Sequence, residues 1–276
     1  MSFSISSSNA ISANINANAN KSSLNKSLSS LSSGSAVDNS AYDASGLGIA
    51  NQLSSQVSGL GQAIMNSNET IGLIQVADGA LQEYNTILED VRVLSLQASN
   101  GTLNDSNREV IQSQIDELLQ TADNIAKNTT FNDIKLLDGT GGTSNNGTFV
   151  TQIGANENDS YSLTIKDTQT ASIISTPIDV TTQAGASASL SVIDDAIKNI
   201  TDVRADLGAA QNTLYSNIKN ISTTQINIAS AESQIRDIDF AQESANFSKQ
   251  NILSKIGSFV QSQMNVTQAN SISLLN

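Results

Sequence analysis

One stretch decides the fold of this chain of 276 residues. Residues 53–98 read LSSQVSGLGQAIMNSNETIGLIQVADGALQEYNTILEDVRVLSLQA. Its apolar positions recur mostly at steps of three and four, which places them on one face of a helix. At about 1.5 Å per residue the helix is roughly 70 Å long, a length typical of a coiled coil or helical bundle. The positions we assign to the bundle core are Leu53, Val57, Leu60, Ile64, Leu81, Leu88 and Val91.

Two further stretches downstream show the same periodicity. A shorter helix is predicted after the polar run at 104–106, and a long one over about 188–235. Long helices before and after the centre can pair antiparallel in one bundle. Their predicted core positions are Ile111, Ile115, Leu118, Ile197, Ile200, Leu207, Leu214 and Ile218.

The centre of the chain has a different composition. Residues 138–187 are rich in glycine and in Ser, Thr and Asn, with β-like runs at 148–153 and 161–165. Apolar and polar residues alternate in the second run, as they do in a half-buried strand. The sequence therefore predicts a small β-hairpin region, too short to be a substantial separate domain.

The two ends of the chain carry almost no charge. Residues 1–37 and 244–276 contain no acidic residue and only two lysines each. Sparse aliphatic residues at helical spacing predict two weak amphipathic helices, which gain most of their stability from packing. We expect both to bury their apolar side chains only when many copies come together in a helical polymer. The residues assigned to self-assembly are Ile5, Ile11, Ile15, Leu24, Leu28, Leu31, Ile252, Ile256, Phe259, Val266, Ile272, Leu274 and Leu275.

The predicted fold class is thus mainly α. It is a long antiparallel helical bundle or coiled coil, with paired N- and C-terminal helices and a small central β-hairpin region. The predicted division is an N-terminal assembly helix at 1–45, N-terminal bundle helices at 46–137, the hairpin region at 138–187, a C-terminal bundle helix at 188–235 and a C-terminal assembly helix at 236–276.

Composition excludes several classes of function. The chain has no histidine, no cysteine and a net charge of −13. It therefore lacks the usual general base, thiolate chemistry and the commonest metal ligands, and it repels phosphate backbones. We predict no catalytic residues, no metal site, no cofactor and no nucleic-acid partner. The start has neither a basic nor a continuous apolar region, so we also expect no cleaved secretory signal and no membrane insertion.

Several separated motifs resemble those of bacterial flagellins, in the same order. They are LSSG at 31–34, ASGLGIAN at 44–51, the run at 66–81, QASNGT at 97–102 and IRDIDFA at 235–241. The resemblance covers about 1–140 and 188–276. It implies a structural subunit of the flagellar filament that polymerises with itself and is used for swimming motility. Its implied location is extracellular.

The resemblance also implies partners and an assembly route. Flagellins are exported unfolded through the flagellar type III export apparatus, with an export chaperone, and add under a cap protein beyond hook-associated proteins. Their terminal helices form an inner tube when assembled. An alternative within the same superfamily is a hook–filament junction protein, present in few copies. Residues 138–187 offer no His, Cys or metal-ligand spacing, so an inserted enzyme is not expected.

Two departures from the family pattern affect what carries over. Many flagellins have a basic pair where this chain has Ala36 and Ala41. In many relatives an Arg, a Leu and a Glu form a patch bound by Toll-like receptor 5, and the corresponding positions here are Asp90, Leu94 and Gln114. Reversing a charge at an interface costs up to several kcal/mol. We therefore expect weak engagement of that receptor.

Overall fold

The computed structural model describes residues 2–273, and side chains at 11–267, 269 and 270. Its elements, in chain order, are α1 Ser2–Ser33, α2 Ala44–Ala98, α3 Asp105–Asn128, β1 Thr130–Phe131, β2 Ile134–Lys135, β3 Thr148–Gln152, β4 Ser160–Thr164, α4 Thr170–Ile173, α5 Gln183–Arg236 and α6 Phe240–Ser273. The predicted mainly α fold with a small hairpin region is confirmed. Helix α5 begins at Gln183 rather than near residue 188, and β1, β2 and α4 were not predicted.

The chain divides into two compact units. One consists of Met1–Val57 together with Ile226–Asn276, and the other of Ser58–Gln225. We call them the terminal unit and the central unit. The five-part division at 1–45, 46–137, 138–187, 188–235 and 236–276 refers to roles in an assembly, and it stays a prediction.

Within the central unit, α2 and α5 run antiparallel. Two ion pairs set their register: Arg204 Nε lies 2.7 Å from Asp78 Oδ1, and Arg92 Nε lies 2.6 Å from Asp194 Oδ1. The hydrogen bond to Asp194 raises the pKa of Arg92 above its usual value. Such exposed pairs each contribute at most about 1 kcal/mol, so packing beneath them supplies most of the stability.

The apolar core of the central unit is continuous. Tyr84, Leu81, Leu88 and Leu207 are fully buried in it. The Tyr84 hydroxyl lies 3.2 Å from Thr170 Oγ1, and burial raises the pKa of Tyr84. A buried phenol needs such a partner, because an unpaired hydroxyl in a core costs free energy.

The segment between α3 and α5 contributes to this same core. The β1–β2 turn uses Asn132 and Asp133 at φ 50° and 62°, as a tight hairpin turn requires. Strands β3 and β4 pair antiparallel with Phe149 opposite Leu163, and both side chains are buried. The buried apolar residues contributed from 136–180 are Leu136, Leu137, Phe149, Leu163, Ile165, Ile173, Ile174, Ile178 and Val180.

The turn between α2 and α3 is organised by a buried arginine. Arg108 donates from Nε to the Ala98 carbonyl at 2.9 Å and from Nη2 to the Asn100 carbonyl at 3.0 Å. Its Nη1 lies 3.2 Å from the exposed carboxylate of Asp105. The guanidinium thus satisfies carbonyl groups at the end of α2 that have no partner inside the helix. Asn104 caps the start of α3, with Oδ1 accepting from the Asn107 N–H at 2.8 Å.

Candidate assembly surface

The terminal unit contains the paired helices α1 and α6. Their facing sides carry small residues: a Cβ built on Gly257 lies 3.5 Å from Cβ of Ala17. Ser27 and Ser30 of α1 are buried as well. We call this contact the small-residue seam. Such residues let two helix backbones approach closely, but they bury little apolar surface.

The large apolar side chains of the two helices mostly point away from the seam. The exposed fraction of these side chains ranges from 37% at Val260 to 70% at Phe259. Those exposed are Ile11, Ile15, Leu28, Phe240, Ile252, Ile256, Phe259, Val260 and Val266. Leu24 and Leu31 are half-buried. The side chains of Ile5 and Ile272, and Leu274 and Leu275 altogether, lie outside the described residues.

This arrangement is unusual for a helix pair in water. Contiguous exposed apolar surface marks an interaction site more often than it marks a free face. The surroundings add almost no charge, since Lys21, Lys26, Lys249 and Lys255 are the sole charged residues in 1–37 and 244–276. The α1–α6 pair therefore has a nearly uncharged surface that exposes aliphatic and aromatic side chains.

Two buried amides mark the same pair as incompletely satisfied. The Oε1 atoms of Gln250 and Gln261 in α6 are buried, and no donor reaches them from the described part of the chain. A buried polar atom without a hydrogen bond costs about 1–3 kcal/mol. The α1–α6 pair of the single chain therefore retains two buried amide oxygens without a hydrogen-bond donor.

The loops that enter and leave the pair are fixed to each other. Ala36 N donates to the Arg236 carbonyl at 2.7 Å, and Ser35 forms a β-bridge with Asp237. The Lys26 ammonium lies 4.7 Å from the centre of the Tyr42 ring, a cation–π distance. These contacts hold the entry to α2 beside the exit from α5 within the terminal unit.

The predicted bundle-core residues divide into buried and half-buried positions. Buried are Leu60, Leu81, Leu88, Val91, Ile111, Ile115, Ile200, Leu207 and Leu214. Half-buried are Leu53, Val57, Ile64, Leu118, Ile197 and Ile218. Leu53 and Val57 belong to the terminal unit, and the other predicted core positions belong to the central unit.

The structure brings the three aligned receptor positions together. Asp90, Leu94 and Gln114 line one shallow cavity of about 430 Å³ between α2 and α3. Val93, which is 64% exposed, Glu117 and Leu118 complete the lining. The surface there is apolar with two acidic side chains, and it contains no basic residue among those lining the cavity.

Sequence reasoning missed the buried residues of the central segment and Arg108. Leu136, Leu137 and Val180 sit in irregular backbone, where no helical or strand period identifies them. From the sequence alone, an arginine in an otherwise regular helical pattern is expected to be exposed to solvent. Its position, soon after a helix end with several orphan carbonyls, is the signal that indicates a cap.

Neither a metal centre nor a membrane span is found in what the structure describes. Within residues 2–273, His, Cys, Asp and Glu side chains nowhere gather in threes around a possible ion. No helix over the same residues has the length and hydropathy to cross a bilayer.

Comparison with known proteins identifies similar chains over most of the sequence. The bacterial flagellin N-terminal helical region matches residues 5–141, and the C-terminal helical region matches 190–275. The flagellin of Bacillus subtilis (strain 168) is 37% identical, over 93% of this chain and 94% of that protein. The flagellar filament 31.3 kDa core protein of Treponema maltophilum is 35% identical, over 91% of each. The crystal structure of Bacillus cereus flagellin is 30% identical, with a TM-score of 0.51, over 61% of this chain and 94% of that one.

Proposed function

Because the chain belongs to the bacterial flagellin family, we propose that it polymerises by burying the exposed side chains of α1 and α6 between neighbouring copies. A member of this family is a structural subunit of the flagellar filament, and its place is an extracellular appendage used for motility. The observation that carries the assembly proposal is the nearly uncharged α1–α6 surface, which exposes nine large apolar side chains: Ile11, Ile15, Leu28, Phe240, Ile252, Ile256, Phe259, Val260 and Val266.

The assembly route follows from the same surface. The nine exposed side chains cannot all be buried by the two helices of one copy, because the seam already occupies the facing sides of those helices. A second copy covers some of these side chains. A third copy then covers those of the first copy that remain exposed. Such a heterologous contact propagates without closing and gives a helical filament.

Export and partners are part of this proposal. The chain travels unfolded through the flagellar type III export apparatus, escorted by an export chaperone. It joins the filament beneath a cap protein and distal to the hook-associated proteins. We propose no catalysis, because the family is structural and the sequence contains neither histidine nor cysteine.

Seeded growth tests the proposal. Purified chain at high concentration is mixed with short sheared filament fragments and imaged by electron microscopy. We expect filaments to lengthen from the fragments, and much less growth without them. Protein that stays monomeric on every seed contradicts polymerisation. The alternative, a hook–filament junction protein, predicts a few copies at one end of each filament. Mass spectrometry of sheared filaments distinguishes the two by abundance.

Weak recognition by Toll-like receptor 5 is a separate proposal about the Asp90 cavity. Asp90 stands where many relatives carry an arginine, so the Asp90→Arg variant restores the family charge. We expect Asp90→Arg to raise receptor signalling by purified monomer about tenfold in reporter cells, since one interface charge is worth at least a kcal/mol or so. Glu83→Arg, at an exposed α2 position outside the cavity, is the matched control and is expected to change little. Strong signalling by the unaltered monomer at ordinary doses contradicts the proposal.

A further inference from the structure

The chain contains two Asn-Gly pairs, and both lie in turns. They are Asn100-Gly101, between α2 and α3, and Asn146-Gly147, just before β3. In such a pair the backbone nitrogen of the glycine can attack the side-chain amide carbon of the asparagine, since glycine has no Cβ to hinder the approach. The two pairs therefore allow one chemical reaction to be compared in two environments of the same molecule.

The side-chain amide of the asparagine, which is the electrophile, is held in the same way at both sites. Asn100 Oδ1 accepts a hydrogen bond from the Thr102 N–H at 3.2 Å, and Asn146 Oδ1 accepts one from the Thr148 N–H at 3.1 Å. Each is an Asx turn, in which the side-chain carbonyl lies over the backbone two residues on. The donated hydrogen bond polarises the amide carbonyl and stabilises the oxyanion that forms on attack.

The backbone nitrogen of the glycine, which is the nucleophile, differs between the two sites in its hydrogen bonding and exposure. The Gly147 N–H donates to the Gly141 carbonyl at 2.8 Å, and Gly147 is buried at φ 73°. Losing this proton breaks a buried hydrogen bond, which opposes the reaction. Gly101 is exposed, and the structure records no acceptor for its N–H anywhere in residues 2–273.

Arg108 adds a second difference. Its Nη2 donates to the Asn100 carbonyl at 3.0 Å, and the Leu103 N–H donates to the same oxygen at 3.3 Å. That oxygen shares a peptide group with the Gly101 nitrogen. When the nitrogen loses its proton, the negative charge spreads onto the oxygen, where the guanidinium stabilises it. Asp105 contacts Nη1, which leaves Nη2 for the carbonyl.

We propose that Asn100 is a site of spontaneous covalent modification, promoted by Arg108 as a positioning residue. The deprotonated Gly101 nitrogen bonds to Cγ of Asn100, and the Cγ–Nδ2 bond breaks. Nδ2 leaves as ammonia, with its own two protons and the one lost by the Gly101 nitrogen. Water then opens the resulting succinimide at either carbonyl, giving aspartate or isoaspartate. The net reaction consumes one water and releases one ammonia, and it needs no other reactant.

The product changes the turn in two ways. A new carboxylate appears on the residue whose main-chain carbonyl Arg108 contacts. In the isoaspartate form the main chain also gains one carbon, which displaces the carbonyl that Arg108 holds. This inference rests on the geometry of the turn alone and is independent of how the chain polymerises.

Site-resolved mass spectrometry of the full-length chain tests the proposal. The folded protein is incubated in mildly alkaline buffer, and conversion at Asn100 and Asn146 is followed in the same digests. We expect Asn100 to react at least about tenfold faster, the effect of one hydrogen bond that must break at Gly147. In urea the two rates are expected to converge. Equal rates in the folded chain, or a difference that persists unchanged in urea, overturn the proposal.

Two variants separate the roles of the residues. Gly101→Ala is accommodated, since the added Cβ lies 3.4 Å from Gln183 Nε2 in ordinary contact, and it is expected to suppress conversion at Asn100. Arg108→Gln is expected to slow conversion at Asn100, whereas Arg92→Gln, which changes an exposed arginine on α2, is expected to leave it unchanged. Circular dichroism shows that each variant is folded during incubation. A folded Arg108→Gln chain that reacts as fast as the original removes Arg108 from the mechanism. Fast conversion in Gly101→Ala overturns the proposed attack.

Discussion

A chain carrying Ile252→Ser, Ile256→Ser and Phe259→Ser is expected to stay folded and to stop growing on filament seeds. All three side chains are at least half exposed on α6 in the single chain, at 59%, 52% and 70%. Covering each of them in a neighbour contact contributes about 1 kcal/mol, so their loss raises the critical concentration roughly a hundredfold. The measurement is the concentration of soluble chain left after seeded growth.

A matched triple variant controls for a general loss of apolar surface. Val93→Ser, Val110→Ser and Tyr215→Ser change three side chains of similar exposure, at 64%, 60% and 50%, on the central unit. We expect a much smaller rise in critical concentration from this set. If both triple variants lose growth equally, the α6 surface has no special part in assembly. Near-normal growth by the α6 variant contradicts the proposed interface outright.

The second large effect concerns the stability of the central unit. Leu88→Ala is expected to lower the free energy of unfolding by about 2–5 kcal/mol, because Leu88 is fully buried and its removal leaves a cavity in a close-packed core. Urea unfolding of the monomer, followed by circular dichroism, measures the change.

Leu96→Ala provides the control on the same helix. Leu96 is 55% exposed, so the same chemical change there is expected to lower stability by less than about 0.5 kcal/mol. Equal losses from Leu88→Ala and Leu96→Ala would contradict the assignment of the α2 face that points into the core.

The sequence predicts the regular part of the fold well, for a simple physical reason. In α2 the apolar residues keep a helical period over many turns, and a period this long has one structural solution. The central segment has no such period. Leu136 and Val180 are buried by the way the loops cross the bundle, and this crossing depends on contacts between residues far apart in sequence.

The terminal helices show what periodicity leaves undetermined. The spacing of Ile252, Ile256 and Phe259 predicts a stripe on one face of α6, and it does not say whether that stripe meets its partner helix or the solvent. In the structure, Ala17 and Gly257 approach each other at the seam, and the large side chains of the stripe are exposed to solvent. Small residues pack at close range, so they compete successfully for the helix–helix contact.

The contact between Ala17 and Gly257 in the seam also sets the distance between the axes of α1 and α6. Alanine at position 257 fits at ordinary contact distance, whereas a branched side chain would wedge the helix axes apart. In a filament assembled through this pair, that displacement recurs in every copy around the circumference. The diameter of the filament would then depend on the size of the side chain at position 257, one of the smallest residues in the chain.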